Sequence, residues 1–145
     1  MPSHKETKIL PYTPQQMFDL VADIESYPQF LPWCHSARII RREDDKVIAE
    51  LKIGYKMFSE RFVSNVLLDR ESKKIQVSYV SGPLKTLRNE WTFSSEGKKK
   101  CRIDFFVHFE FANPLLAGLM NMFFDVAFVR MVSSFEKRAA EIYAI

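Results

Sequence analysis

Cysteine is scarce in this 145-residue chain, and the two that occur, Cys34 and Cys101, stand far apart and in no CxxC spacing. That excludes a zinc finger and a disulfide framework, and it predicts reduced thiols in a cytoplasmic protein. Histidine is sparse as well. His4, His35 and His108 are isolated along the chain, so each is read as an ordinary surface or turn residue, with His108 pointing outward. No nucleophile elbow and no phosphate-cradling loop occurs, which leaves catalysis without a motif. No catalytic residue, metal or cofactor is expected. Long uncharged apolar runs are missing too: the most apolar stretch is interrupted by Asp125 and Arg130, too short a run to cross a bilayer. The start, Met1 to Lys8, is polar and has no signal-peptide core. No repeat, low-complexity tract or linker appears, and the length fits a single domain, 1–145, with a substantial core.

What is present is apolar and aromatic. Hydrophobic residues make up 47% and charged residues 27%, the balance of a soluble globular protein. Thirteen phenylalanines occur, crowded between Phe93 and Phe135. The net charge of +3 is compatible with an anionic partner without requiring one. Asn113-Pro114 reads as an N-cap and first helical residue. No proline follows, so one helix of roughly 30 residues, about 45 Å long, is predicted to the C-terminus. Its stripe is Ala117, Met120, Phe124, Phe128, Met131, Phe135, Ala139 and Ile142. The opposite face is apolar early (Leu115, Leu119, Met122, Val126, Val129) and polar later (Ser133, Glu136, Lys137).

Upstream, His4 to Tyr12 reads as a strand. Thr13-Pro14-Gln15-Gln16 matches a capping box, with Tyr12 and Met17 as its hydrophobic staple. The helix that follows should end before Pro28, which disfavours a helical Tyr27. Tyr27 to Cys34 is an aromatic segment between two prolines, either a plug or a pocket wall. From Ser36 the period becomes two. Val47 to Met57, Arg61 to Leu68 (Phe62, Ser64, Val66 and Leu68 inward), Ile75 to Val80, Leu87 to Phe93 and Cys101 to Phe111 read as strands. Asp44-Asp45, Ser81-Gly82-Pro83 and Glu96-Gly97-Lys98 mark turns between them. About six consecutive strands have one apolar face to cover, and only the terminal helix is long enough to cover it. The expected class is α+β, a helix-grip: a curved antiparallel sheet wrapped around a long C-terminal helix.

Such a sheet leaves room on its concave side. The predicted lining is Tyr55, Phe62, Tyr79, Leu87, Trp91, Phe105, Val107 and Phe109, facing Phe124, Phe128, Met131 and Phe135. Asn89, in phase with Leu87 and Trp91, and the Tyr79 hydroxyl supply the few polar groups that a small-molecule site needs. Tyr27, Phe30 and Trp33 would form a wall. As acid or base only Glu60, Tyr79 and Asn89 can be named. Basic clusters at Arg38, Arg41 and Arg42, at Lys73-Lys74 and at Lys98-Lys99-Lys100 solvate sheet ends or face RNA, but no RNA-binding aromatic motif accompanies them.

Tyr27-Pro28-Gln29-Phe30-Leu31-Pro32-Trp33-Cys34, Gly82-Pro83-Leu84-Lys85, Leu87 and Trp91-Thr92-Phe93 together carry a resemblance. The chain resembles the START-type family that includes coenzyme-Q-binding proteins and the ribosome-association toxin, often labelled polyketide cyclase/dehydrase-like. Leu84 stands where phenylalanine is expected, a conservative apolar change. The resemblance covers essentially the whole chain. It implies a helix-grip fold and a tunnel for ubiquinone or a related isoprenoid lipid, with Leu84 among its contacts. The favoured reading is a non-enzymatic role in respiration or quinone synthesis, with no DNA partner expected; on that reading Leu115, Leu119 and Met122 touch the inner membrane transiently, act as a gate, or pack against the Tyr27 to Trp33 segment. Ribosome binding and a cyclase-like enzyme are the alternatives the resemblance leaves open.

Overall fold

The alternation written into the sequence is realised in seven strands of one antiparallel sheet. In the computed structural model residues 3–55, 58–121 and 124–143 are described; the side chains of residues 55, 58, 116, 119–121, 124 and 125 lie outside that description. The chain runs β1 (Ser3–Leu10), α1 (Pro14–Ala22), a 3-10 turn (Ile24–Gln29), β2 (Cys34–Glu43), β3 (Lys46–Tyr55), β4 (Phe58–Asp69), β5 (Lys74–Ser81), β6 (Leu84–Ser95), β7 (Cys101–Phe111), α2 (Pro114–Asn121) and α3 (Phe124–Ile142). The strand order is β1-β7-β6-β5-β4-β3-β2. Strands β2 to β7 are a meander, and β1 returns beside β7, with Ser3 opposite His108 and Leu10 opposite Cys101.

Local chemistry explains the corners. Asp44, Lys73 and Lys99 adopt positive φ in the hairpin turns, and Gly82 has φ 142°. Gly82 is required for a second reason: a Cβ there would stand 2.8 Å from the Arg61 carbonyl oxygen. Register breaks at Cys34/Ser36, Ile39/Arg41, Val63/Ser64 and Leu84/Thr86 bend the sheet, as bulges do. The last of these lets Leu84 and Leu87, three residues apart, both turn inward. Thr13 caps α1 as the sequence predicts. Its hydroxyl accepts from the Gln16 N–H at 3.1 Å, and the Gln16 side chain accepts from the Thr13 N–H at 2.9 Å. Tyr12 and Met17 are both buried beside this cap.

The concave face is covered by α1 at one end and by α3 along its length. Helix α1 buries Met17, Phe18, Leu20 and Val21, and the Phe18 ring meets Phe93 edge-on at 6.1 Å. Helix α3 buries Val132, Phe135 and Ala139 and half-buries Phe128 and Met131. The terminal segment is helical over Pro114–Asn121 and Phe124–Ile142, as expected; residues 122 and 123, Met122 among them, lie outside the described residues, as do the side chains of Leu119, Met120 and Phe124. One expectation changes. Ile142 is 49% exposed and does not continue the stripe. Tyr143, four residues beyond Ala139, takes that place: its ring lies 6.0 Å from Tyr12 and its hydroxyl donates to the Gln16 carbonyl at 2.8 Å. No helix among the described residues is long and apolar enough to cross a membrane.

Candidate functional site

The inward side chains do not fill the space under α3. A cavity of about 300 Å³ remains between the sheet, the Ile24–Trp33 segment and the first half of α3. This volume is at the lower end of the range for small-molecule sites, roughly 300–1,000 Å³. Each strand of the wall contributes on the same alternation that makes it a strand: Ala49, Leu51 and Ile53 from β3; Phe62, Ser64 and Val66 from β4; Ile75 and Val77 from β5. Strand β6 gives Leu84, Leu87, Asn89 and Trp91, and β7 gives Phe105, Val107, Phe109 and Phe111. Ile24, Tyr27, Leu31 and Trp33 close one side, and Val126, Ala127, Phe128, Arg130, Met131 and Phe135 form the roof.

Aromatic rings pack into a rigid floor. Trp91 lies 4.7 Å from Phe105 and 5.2 Å from Phe135, both edge-on, and Tyr27 meets Phe135 at 5.4 Å. The polar groups of that floor are satisfied by the protein. The Trp91 indole N–H donates to Asn89 Oδ1 at 3.2 Å, and Asn89 Nδ2 donates to the Phe106 carbonyl at 2.8 Å. The Tyr27 hydroxyl donates to the Val21 carbonyl. Burial raises the pKa of this phenol, with Cys34 and Asp23 adding to the effect, so it stays a neutral donor. Desolvation likewise pushes the Cys34 and Cys101 thiols up to about 11. Neither is a thiolate near neutral pH, and neither is a ready nucleophile.

Of the residues proposed from sequence, Tyr27, Trp33, Phe62, Leu84, Leu87, Asn89, Trp91, Phe105, Val107, Phe109, Phe128, Met131 and Phe135 surround the cavity. The side chains of Tyr55 and Phe124 lie outside the described residues. Phe30 and Tyr79 are corrections. Phe30 sits behind the wall, edge-on to Phe135 at 5.1 Å, with the Arg138 guanidinium over its ring, 5.4 Å from the centroid. Tyr79 points inward at the end of β5, but its hydroxyl accepts from the Leu84 N–H at 2.9 Å and clamps the Gly82 turn. Glu60, considered as a buried base, is exposed. His4 is not isolated in space: its Nε2 lies 3.2 Å from Glu6, and its ring stacks 6.2 Å from Phe128.

Sequence reasoning passed over Ile24, Leu31, Ala49, Leu51, Ile53, Ser64, Val66, Ile75, Val77 and Phe111 as site residues. Most were already in the inward phase of their strands, so the periodicity that located the aromatics could have located these smaller residues. Val126, Ala127 and Arg130 carried a weaker signal. Ala127 lies beside Met131 on the helical wheel, Val126 was placed on the opposite face, and Arg130 was counted only as an interruption of an apolar run.

Comparison with known proteins follows from this geometry. Residues 10–136 match the family described as polyketide cyclase / dehydrase and lipid transport. A protein of Rickettsia prowazekii named ribosome association toxin RatA is 42% identical, over 98% of this chain and 99% of its own. The mitochondrial coenzyme Q-binding protein COQ10 homolog B of Xenopus laevis is 34% identical over 97% of this chain and 59% of its own. The solution structure of an 18 kDa protein of Caulobacter crescentus superimposes with a TM-score of 0.81 at 36% identity, covering 100% of both chains. The sheet gripping a C-terminal helix, the hollow beneath it and these matches agree: the chain belongs to the polyketide cyclase / dehydrase and lipid transport family.

Proposed function

We propose that this protein binds a hydrophobic ligand, ubiquinone or a related isoprenoid lipid, in the cavity under α3, without transforming it, in support of respiration or quinone synthesis. The observation that carries the reading is an unfilled space walled by apolar and aromatic side chains whose few interior polar groups are mostly engaged with the protein itself. The relative named as a coenzyme Q-binding protein supports the choice of cargo. Burying about ten methylene-sized groups at ~0.8 kcal/mol each gives roughly 8 kcal/mol relative to water, or micromolar affinity. The bilayer is an equally apolar competitor, so a carrier that exchanges cargo follows rather than a sink. Leu115, 84% exposed on α2, and Val126 and Val129 on α3 offer an apolar surface for transient membrane contact.

The chain has two tryptophans, Trp33 and Trp91, and both border the cavity. A short-tailed ubiquinone added to the purified protein should therefore quench its tryptophan emission saturably. Quenching that stays linear with quinone, as for free tryptophan in solution, would refute the reading.

A second reading, association with the large ribosomal subunit that blocks subunit joining, is favoured by the name of the 42% identical relative. Arg41 and Arg42, exposed on the edge strand β2, are its candidate contacts. It predicts co-sedimentation with ribosomal subunits that falls steeply with salt and weakens when both arginines become glutamate. For a cyclase-like enzyme, the available acid–base candidates are an exposed Glu60 and a Tyr79 and Asn89 already held by the backbone.

A further inference from the structure

The cavity wall contains one charged side chain among the described residues, Arg130 of α3. It is exposed, so it stands at the mouth rather than in the interior. Its carbonyl accepts from the Ser134 hydroxyl at 2.9 Å, but no other described residue pairs with or hydrogen-bonds its guanidinium. Several arginines of the sheet are paired: Arg38 and Arg61 both reach Glu50, at 3.3 and 3.0 Å, and Arg70 just past the end of β4 reaches Asp45 at 2.9 Å. The interior polar groups are spent within the wall. Asn89 uses both ends of its amide, Trp91 its N–H and Tyr27 its O–H, which leaves the Ser64 hydroxyl and the half-buried Trp33 indole N–H as the uncharged polar groups of the wall with no side-chain partner among the described residues. A head group carried inside would lose its hydrogen bonds to water and find little in exchange. At the mouth it would keep its water and meet a guanidinium with free donors.

Resting on the reading of the cavity as a lipid site, we infer that ligands enter tail first and that Arg130 gives single-chain amphiphiles with an acidic head group, a carboxylate or phosphate, an advantage over uncharged ones, so that such acids compete with a neutral quinone for the cavity. The apolar tail fills the space between Trp91, Phe109 and Met131. The acidic group stays at the rim, beside Val126 and Arg130.

The test uses a matched pair, decanoic acid and 1-decanol, titrated calorimetrically at a pH where the acid is ionised. The wild-type protein should bind the acid more tightly than the alcohol by about fivefold in low salt, the size of a partly solvated ion pair. That preference should shrink in high salt. Arg130→Gln should abolish it, read as the ratio of the two affinities, with an unchanged circular dichroism spectrum and urea midpoint reporting an intact fold, and Arg130→Lys should retain part of it. Equal binding of acid and alcohol by the wild type, or a preference that survives Arg130→Gln, would overturn the head-group inference and leave the cavity reading standing. Failure of both compounds to bind would overturn both.

Discussion

The two ends of the concave face are built from the same strands and differ in whether they are full. At the α1 end, Phe18, Leu68, Phe93, Cys101 and Ile103 are 0–3% exposed and lie outside the cavity wall. A few residues along the same strands, Phe62, Leu87, Phe109 and their neighbours border empty space. The boundary is the layer of Trp91, Phe105 and Phe135. The difference lies in what covers each end. A capped, stapled helix presses four buried side chains into one end, whereas the other is roofed by the half-buried face of α3 around Phe128 and Met131. Close packing is therefore concentrated at one end, and empty volume at the other.

The largest effect that would break this comparison is a truncation. Phe18→Ala, at the full end, should cost about 3–5 kcal/mol in urea unfolding. Leu87→Ala, which enlarges a void that already exists, should cost less than half as much. Enlargement should show the opposite asymmetry. Val21→Phe has no room and should cost about 1–3 kcal/mol, while Ala127→Phe, pointing into the cavity, should cost less than about 1 kcal/mol and abolish quinone quenching. If both enlargements cost the same, the cavity is not the open space described.

Removing the α1 cap sharpens the comparison on a smaller scale. Thr13→Ala should lower stability by about 1 kcal/mol and leave ligand affinity unchanged, because the cap serves only the full end.

The smallest effect is in the pH profile. Cys34 and Cys101 have pKa values raised from the usual 9.0 to about 11, so the folded state holds protons that the unfolded state releases. Their contribution is fully present below about pH 9 and is lost as pH rises toward 11. Replacing both by alanine should flatten that alkaline decline. An unchanged slope would show that the thiols titrate alike in both states.

How much of this was legible in the sequence follows from how local each cause is. Four residues, Thr13 to Gln16, specify the capping box, and the structure has it. The period-two pattern placed the strands and the phase of nearly every inward residue, because a strand with one buried face tolerates no slip. The misses depend on distant partners. His4 acquires Phe128 and Phe105 only when β1 pairs with β7, a contact across about 100 residues that no local pattern encodes. Tyr79 was in phase, yet the Gly82 turn claimed its hydroxyl. Phe30 was grouped with its neighbours, but the 3-10 turn brings Tyr27 to the cavity and leaves Phe30 behind Phe135. Ile142 fell off a stripe drawn over too many turns.

The central claim, that the space beneath α3 is a lipid site, is tested most directly by solvent extraction of the purified protein followed by mass spectrometry. The account predicts an isoprenoid quinone or related lipid recovered at close to one molecule per chain from the wild type, and little from Ala127→Phe. An empty wild-type protein, or the same lipid recovered equally from both, would contradict it.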